Sequence, residues 1–78
     1  MNNLKNKLLV GTSKGLVVWE LLNQKWIVSE VHFRGLPVML VYVDERNGWW
    51  WAGIAHRHWG QKLHYSKDEG KIWQTVST

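Results

Sequence analysis

Apolar and polar residues alternate in short runs separated by turn-forming residues, the pattern of an all-β chain. Lys7 to Thr12 predicts a first strand, and Ser13-Lys14-Gly15 turns the chain into Leu16 to Leu22, where Val17, Trp19 and Leu21 share one face. Asn23-Gln24-Lys25 makes the next turn. Trp26 to Val31 follows as a third strand, with Trp26 and Val28 on one side and Ile27 and Ser29 on the other. The segment His32 to Pro37 breaks the pattern, because Pro37 has no amide hydrogen to donate and Gly35 weakens any ladder. It predicts a link between two sheets. The unbroken apolar run from Val38 to Val43, inside a strand reaching Asp44, predicts burial on both faces. Asp44-Glu45-Arg46-Asn47-Gly48 ends in Asn-Gly, a hairpin signal. Trp49 to Ala55, Lys62 to Ser66 and Lys71 to Ser77 complete seven strands. No stretch carries a 3.6-residue apolar stripe, so no helix is expected.

The two halves of the chain echo each other. Val10-Gly11-Thr12 corresponds to Ala52-Gly53-Ile54, Gly15-Leu16-Val17-Val18 to the region around Leu63-His64-Tyr65, and Lys25-Trp26-Ile27-Val28 to Ile72-Trp73-Gln74-Thr75. The glycines lie 42 positions apart and the tryptophans 47, so an insertion of about five residues falls within His56 to Gln61. A period of about 40 to 50 residues carrying four strands is what one propeller blade needs. On that division residues 7–31 supply three strands of a partial blade and residues 38–77 a complete one, just under two blades per chain. A blade has two broad faces that expect neighbours, and a propeller closes with about four to eight blades. Oligomerisation is the expected way of completing it.

Composition agrees with a chain that needs partners. At 78 residues one domain buries only about 60% of the surface its unfolded chain exposes, and with no Cys there is no disulfide to help. Seven Trp residues are the outlier, and Trp at that density points to packing between sheets or across a subunit interface. Trp49-Trp50-Trp51 must alternate across a strand, placing Trp50 and Ala52 toward one neighbour and Trp49 and Trp51 toward the other. The three tryptophans are candidate interface residues. Net charge is +4, but the basic residues are scattered, which argues against a nucleic-acid surface. No run approaches the ~20 apolar residues of a membrane span, and no signal-peptide core is present, so the expected location is cytoplasmic, away from membranes.

Ser66-Lys67-Asp68-Glu69-Gly70-Lys71-Ile72-Trp73 reads as Ser-x-Asp-x-Gly-x-x-Trp between two strands. Ser66 and Asp68 can hydrogen-bond the turn backbone, Gly70 can take a positive φ, and Trp73 can lay its ring over the turn as it starts the next strand. This motif resembles the Asp-box, the bacterial neuraminidase repeat of sialidase-like β-propellers, with Ile72 where Thr is usual. The segments Leu8 to Leu16, His32 to Val38 and His58-Trp59-Gly60 with Leu63 to Ser66 extend the likeness to the N-terminal blades of exo-α-sialidase-like repeat proteins. The resemblance implies a propeller in which Ser66, Asp68, Gly70 and Trp73 have a structural role.

The resemblance does not supply an active site. A sialidase needs an arginine cluster, a Tyr/Glu nucleophile pair and an acidic proton donor, and Arg34, Arg46 and Arg57 belong to no common motif here. No catalytic residue and no cofactor is expected. His56 and His58 stand at i and i+2, on one side of an extended strand, with His64 nearby in sequence. Arg57 and Trp59 interleave them and no carboxylate or Cys has ligand spacing, so a polar loop is the simpler expectation and no metal is assigned. His56, His58 and Trp59 instead form a candidate pocket for a small molecule or glycan. The functional expectation is a non-catalytic propeller fragment or subunit that self-associates into a ring. Its alternatives are a remnant of a sialidase-like glycoside hydrolase and weak nucleic-acid binding through the positive charge.

Overall fold

A computed structural model describes residues 6–56 and 60–76. The chain forms seven strands in two antiparallel sheets. The first sheet contains β1 (Lys7–Thr12), β2 (Gly15–Leu22) and β3 (Lys25–His32) in that order. The second contains β4 (Val38–Val43), β5 (Trp50–His56), β6 (Gly60–Ser66) and β7 (Gln74–Thr75), also in chain order.

Local chemistry sets the turns. Asn23 and Gln24 both take positive φ, 50° and 66°, the geometry of the two-residue hairpin whose twist matches its strands. Between β4 and β5 the Asp44 carboxylate accepts hydrogen bonds from the Arg46 backbone N–H at 3.0 Å and its guanidinium at 3.0 and 3.1 Å. The Arg46 side chain, as hydrogen-bond donor, holds the Asp44 pKa below the usual carboxylate value. Gly48 closes that turn at φ 76°, donating its N–H to the Asp44 carbonyl at 2.7 Å. Asp44 and Glu45 are thus parts of a turn, and Asp44 is fully engaged by Arg46.

The two sheets stack face to face, β1 lying against β4. Leu9, Leu16 and Val18 of the first sheet meet Val38, Val43, Trp50, Ala52 and Ile54 of the second, and together they are the buried core. Gly11 lets the sheets approach: a Cβ there would sit 2.8 Å from the Val38 carbonyl oxygen and 3.2 Å from Val41. The link after β3 turns through Phe33 and Gly35 at φ 56° and 82°, and packs Phe33 and Leu36 against the core's edge.

Alternation about that core fixes what each sheet turns outward. Strand register places Leu8, Val10, Val17, Trp19, Val28 and Trp26 on the outer face of the first sheet. Leu40, Tyr42, Trp51, Gly53, Leu63 and Tyr65 share the outer face of the second.

Two expectations need correction. β4 is covered on one face only: Val38 and Val43 are buried, while Met39 and Leu40 are 65% and 55% exposed. The last strand, Gln74–Thr75, begins later than the expected Lys71 because residues 71–73 stay in the preceding turn, and Ser77, its expected end, lies outside the described residues. Trp50 is completely buried between the sheets, so of the three tryptophans only Trp49 and Trp51 face outward.

Candidate functional site

Three groupings of side chains stand out. The first is the turn from Ser66 to Trp73. The buried Ser66 hydroxyl donates to Asp68 Oδ1 at 2.7 Å and accepts from the Gly70 N–H at 2.8 Å. Asp68 Oδ1 also accepts from the Ile72 N–H at 2.9 Å. The Ile72 amide, followed by the Ser66 hydroxyl, holds the Asp68 pKa below its ordinary value. Capture of that amide draws residues 71–73 into the turn and delays β7 until Gln74.

The turn also fastens one sheet to the other. Trp73 packs edge-on against Phe33 and His32, with ring centroids 4.9 and 5.7 Å apart, and lies 6.5 Å from Trp50. Its indole N–H donates to His32 Nδ1 at 3.4 Å, a bond that leaves the proton on His32 Nε2, 2.8 Å from Glu30 Oε1. Lys7 of β1 reaches Glu69 Oε1 at 3.3 Å and stands 5.9 Å from the centroid of the Trp50 ring. The four motif residues are therefore in one hydrogen-bonded and packed unit, a turn whose Glu69 and Trp73 side chains meet Lys7 of β1 and His32 of β3.

Replacing Ser66 with Ala should cost about 1–3 kcal/mol, since a buried Gly70 amide loses its acceptor. Urea unfolding followed by far-UV circular dichroism measures the loss, and amide exchange at Gly70 should accelerate in the same variant. Unchanged stability with a Gly70 amide as protected as before would refute the assignment.

The second grouping is aromatic. Trp49 stacks on Tyr65 at 5.5 Å between centroids and 15° between planes, Trp51 lies 5.1 Å from Tyr65, and the Lys67 ammonium sits 4.9 Å from the Trp49 ring centroid. The cluster spans β6 and the start of β5 on the outward face of the second sheet.

The third grouping contains His56. Sequence spacing pairs His56 with His58 and Trp59, but His58 and Trp59 lie outside the described residues. Among the described residues His56 meets His64, with Nε2 atoms 3.2 Å apart, while His64 Nδ1 lies 3.0 Å from Thr75 Oγ1. Burial, and then the positive charges of His56 and Lys62, push the His64 pKa below its ordinary value. An adjoining cavity of about 460 Å³ is lined by Ser13, Gly35, Leu36, Pro37, Ala55 and His56. Spacing within one strand could not reveal the His56–His64 meeting, which depends on the β5–β6 register and the reach of both rings.

No protein-family model matches this chain, and neither a curated protein nor a solved structure matches it.

Proposed function

We propose that the chain is a non-catalytic unit of an Asp-box β-propeller array. Its two sheets act as successive blades, and further copies of the chain cover its outer faces head to tail. The observation that carries this reading is the way the internal repeat maps onto the two faces of each sheet. Gly11 faces the second sheet and is overlain by Val38, whereas its repeat counterpart Gly53 lies on the second sheet's outer face. Leu16, buried in the core, corresponds to Leu63 on that outer face. In the opposite direction Trp73 packs between the sheets, while its counterpart Trp26 is 47% exposed on the outer face of the first. The outer face of the second sheet therefore repeats the surface with which the first sheet already receives a neighbour. The outer face of the first repeats the surface that the second presents.

Such faces make a heterologous contact, which closes into a ring when the rotation between units allows it. With two blades per chain, about two to four copies supply the blades of a closed propeller. The carboxylates support the non-catalytic part of this reading: Glu30, Asp44, Asp68 and Glu69 are engaged by His32, Arg46, the Ser66–Ile72 turn and Lys7. The Trp49 and Trp51 rings, already stacked on Tyr65, support packing over a sugar platform.

Light scattering on a chromatographed sample should give a mass that is a multiple of 9.2 kDa. Leu40→Glu spoils one outer face and Val28→Glu the other, so each variant alone should be monomeric. Mixed together, each still has one intact face, and the pair should form a dimer that grows no further. A folded wild-type monomer at every concentration contradicts the reading, and dimers formed by either variant alone contradict its head-to-tail geometry.

A further inference from the structure

β5 and β6 run antiparallel with Ala52 opposite His64 and His56 opposite Gly60, so both imidazoles belong to the side of the sheet that includes Ala52 and Ile54. They converge through their Nε2 atoms at 3.2 Å. Two nitrogens bound to one tetrahedral zinc at about 2.0–2.1 Å stand about 3.3 Å apart, which is the spacing found here without any ligand to impose it. Thr75 supplies the second requirement. With the Nδ1 proton of His64 donated to Thr75 Oγ1 at 3.0 Å, the Nε2 lone pair is left free and aimed at His56. Phe33, with its ring 5.1 Å from that of His64, fixes the plane of the ring. A cavity of about 190 Å³ lined by His56, Lys62, His64 and Thr75 gives access to the pair.

We propose that His56 and His64 form a two-imidazole site for a divalent transition cation of the zinc or copper class, each ligating through Nε2. The remaining coordination positions belong to water or to a small anion, which the nearby Lys62 ammonium favours. Imidazole selects zinc, copper and nickel over calcium and magnesium, which require oxygen ligands. The alternative occupant of the 3.2 Å gap is a single shared proton. The two differ in measurable ways, because a proton bridge needs one protonated Nε2 whereas the metal needs neither.

The test is titration of the untagged chain with Cu²⁺ and with Zn²⁺ by calorimetry. One cation should bind per pair, and Ca²⁺ should not bind. His56→Ala and His64→Ala should each abolish that binding, and Thr75→Val, which frees the His64 ring without removing a ligand, should weaken it about 10-fold or more. Wild-type protein also gives an answer independent of any variant's folding: Zn²⁺ should shift the imidazole proton resonances of His56 and His64 and leave those of His32 in place. Binding unchanged in either alanine variant, resonance shifts confined to other histidines, or no binding below millimolar Zn²⁺ would each overturn the proposal.

Discussion

Trp50→Ala should cost the fold about 3–5 kcal/mol, a large share of its stability. The Trp50 side chain is completely buried where the two sheets meet the Ser66–Trp73 turn. It pairs across the strands with Val43 on one side and Ser66 on the other. Removing a buried aromatic costs about 3–5 kcal/mol, through lost transfer energy and the cavity left behind. A domain of 78 residues has in total about 4–12 kcal/mol of stability. The loss is therefore about a quarter of the total at least, and at the lower end of that range it unfolds the chain. Trp49→Ala is the matched control, since that ring packs on the outward face against Tyr65 and Trp51. Its removal should cost about 1 kcal/mol, the worth of an aromatic pair. Chemical denaturation of both variants measures the difference; equal midpoints would mean that the core is not centred where the sheets meet.

The same pair of tryptophans shows what the sequence could and could not reveal. Alternation along Trp49-Trp50-Trp51 correctly separates Trp50 and Ala52 from Trp49 and Trp51. It cannot say which side meets a sheet of the same chain. The run Val38 to Val43 fails for that reason, because an apolar strand face reads the same whether its cover lies within the chain or on another molecule. Met39 and Leu40, more than half exposed, show that no described residue covers its second face. Strands β1 to β6 were legible because Ser13-Lys14, Asn23-Gln24 and Asn47-Gly48 mark their turns strongly. β7 was not, because a side chain four residues upstream, Asp68, competes for the Ile72 amide on which a longer strand would depend.

Spacing in one strand pairs His56 with His58, which lies outside the described residues, and the described contact of His56 is with His64 on the neighbouring strand. The sequence contained both residues but not the register that brings their strands together. The motif from Ser66 to Trp73 is the reverse case, since all its bonds except those to β1 and β3 span at most four residues. Local chemistry sufficed to foresee the hairpin, and only the folded chain shows that Trp73, Glu69 and Gly70 reach His32, Lys7 and Trp50.

That fastening makes Gly70 a position where a single methyl group should do harm on two counts. Its φ of 89° lies where L side chains rarely go, at a cost of about 1–2 kcal/mol for any other residue. A Cβ would also stand 3.0 Å from His32 Nε2 and 3.0 Å from Trp50 Cζ3, with both rings already held by Glu30 and by the core. Overpacking of that kind adds about 1–3 kcal/mol, so Gly70→Ala should lose about 2–5 kcal/mol in all. Gly48→Ala separates the two contributions, because Gly48 has a similar φ of 76° and nothing within 4 Å of its missing Cβ. It should pay for conformation alone. Denaturant midpoints of the two variants decide the matter: if they coincide, His32 and Trp50 yield freely to the added methyl, and the turn does not clamp the two sheets together. If Gly70→Ala falls well below Gly48→Ala, the hairpin's glycine is fixed as much by the sheet it grips as by its own backbone.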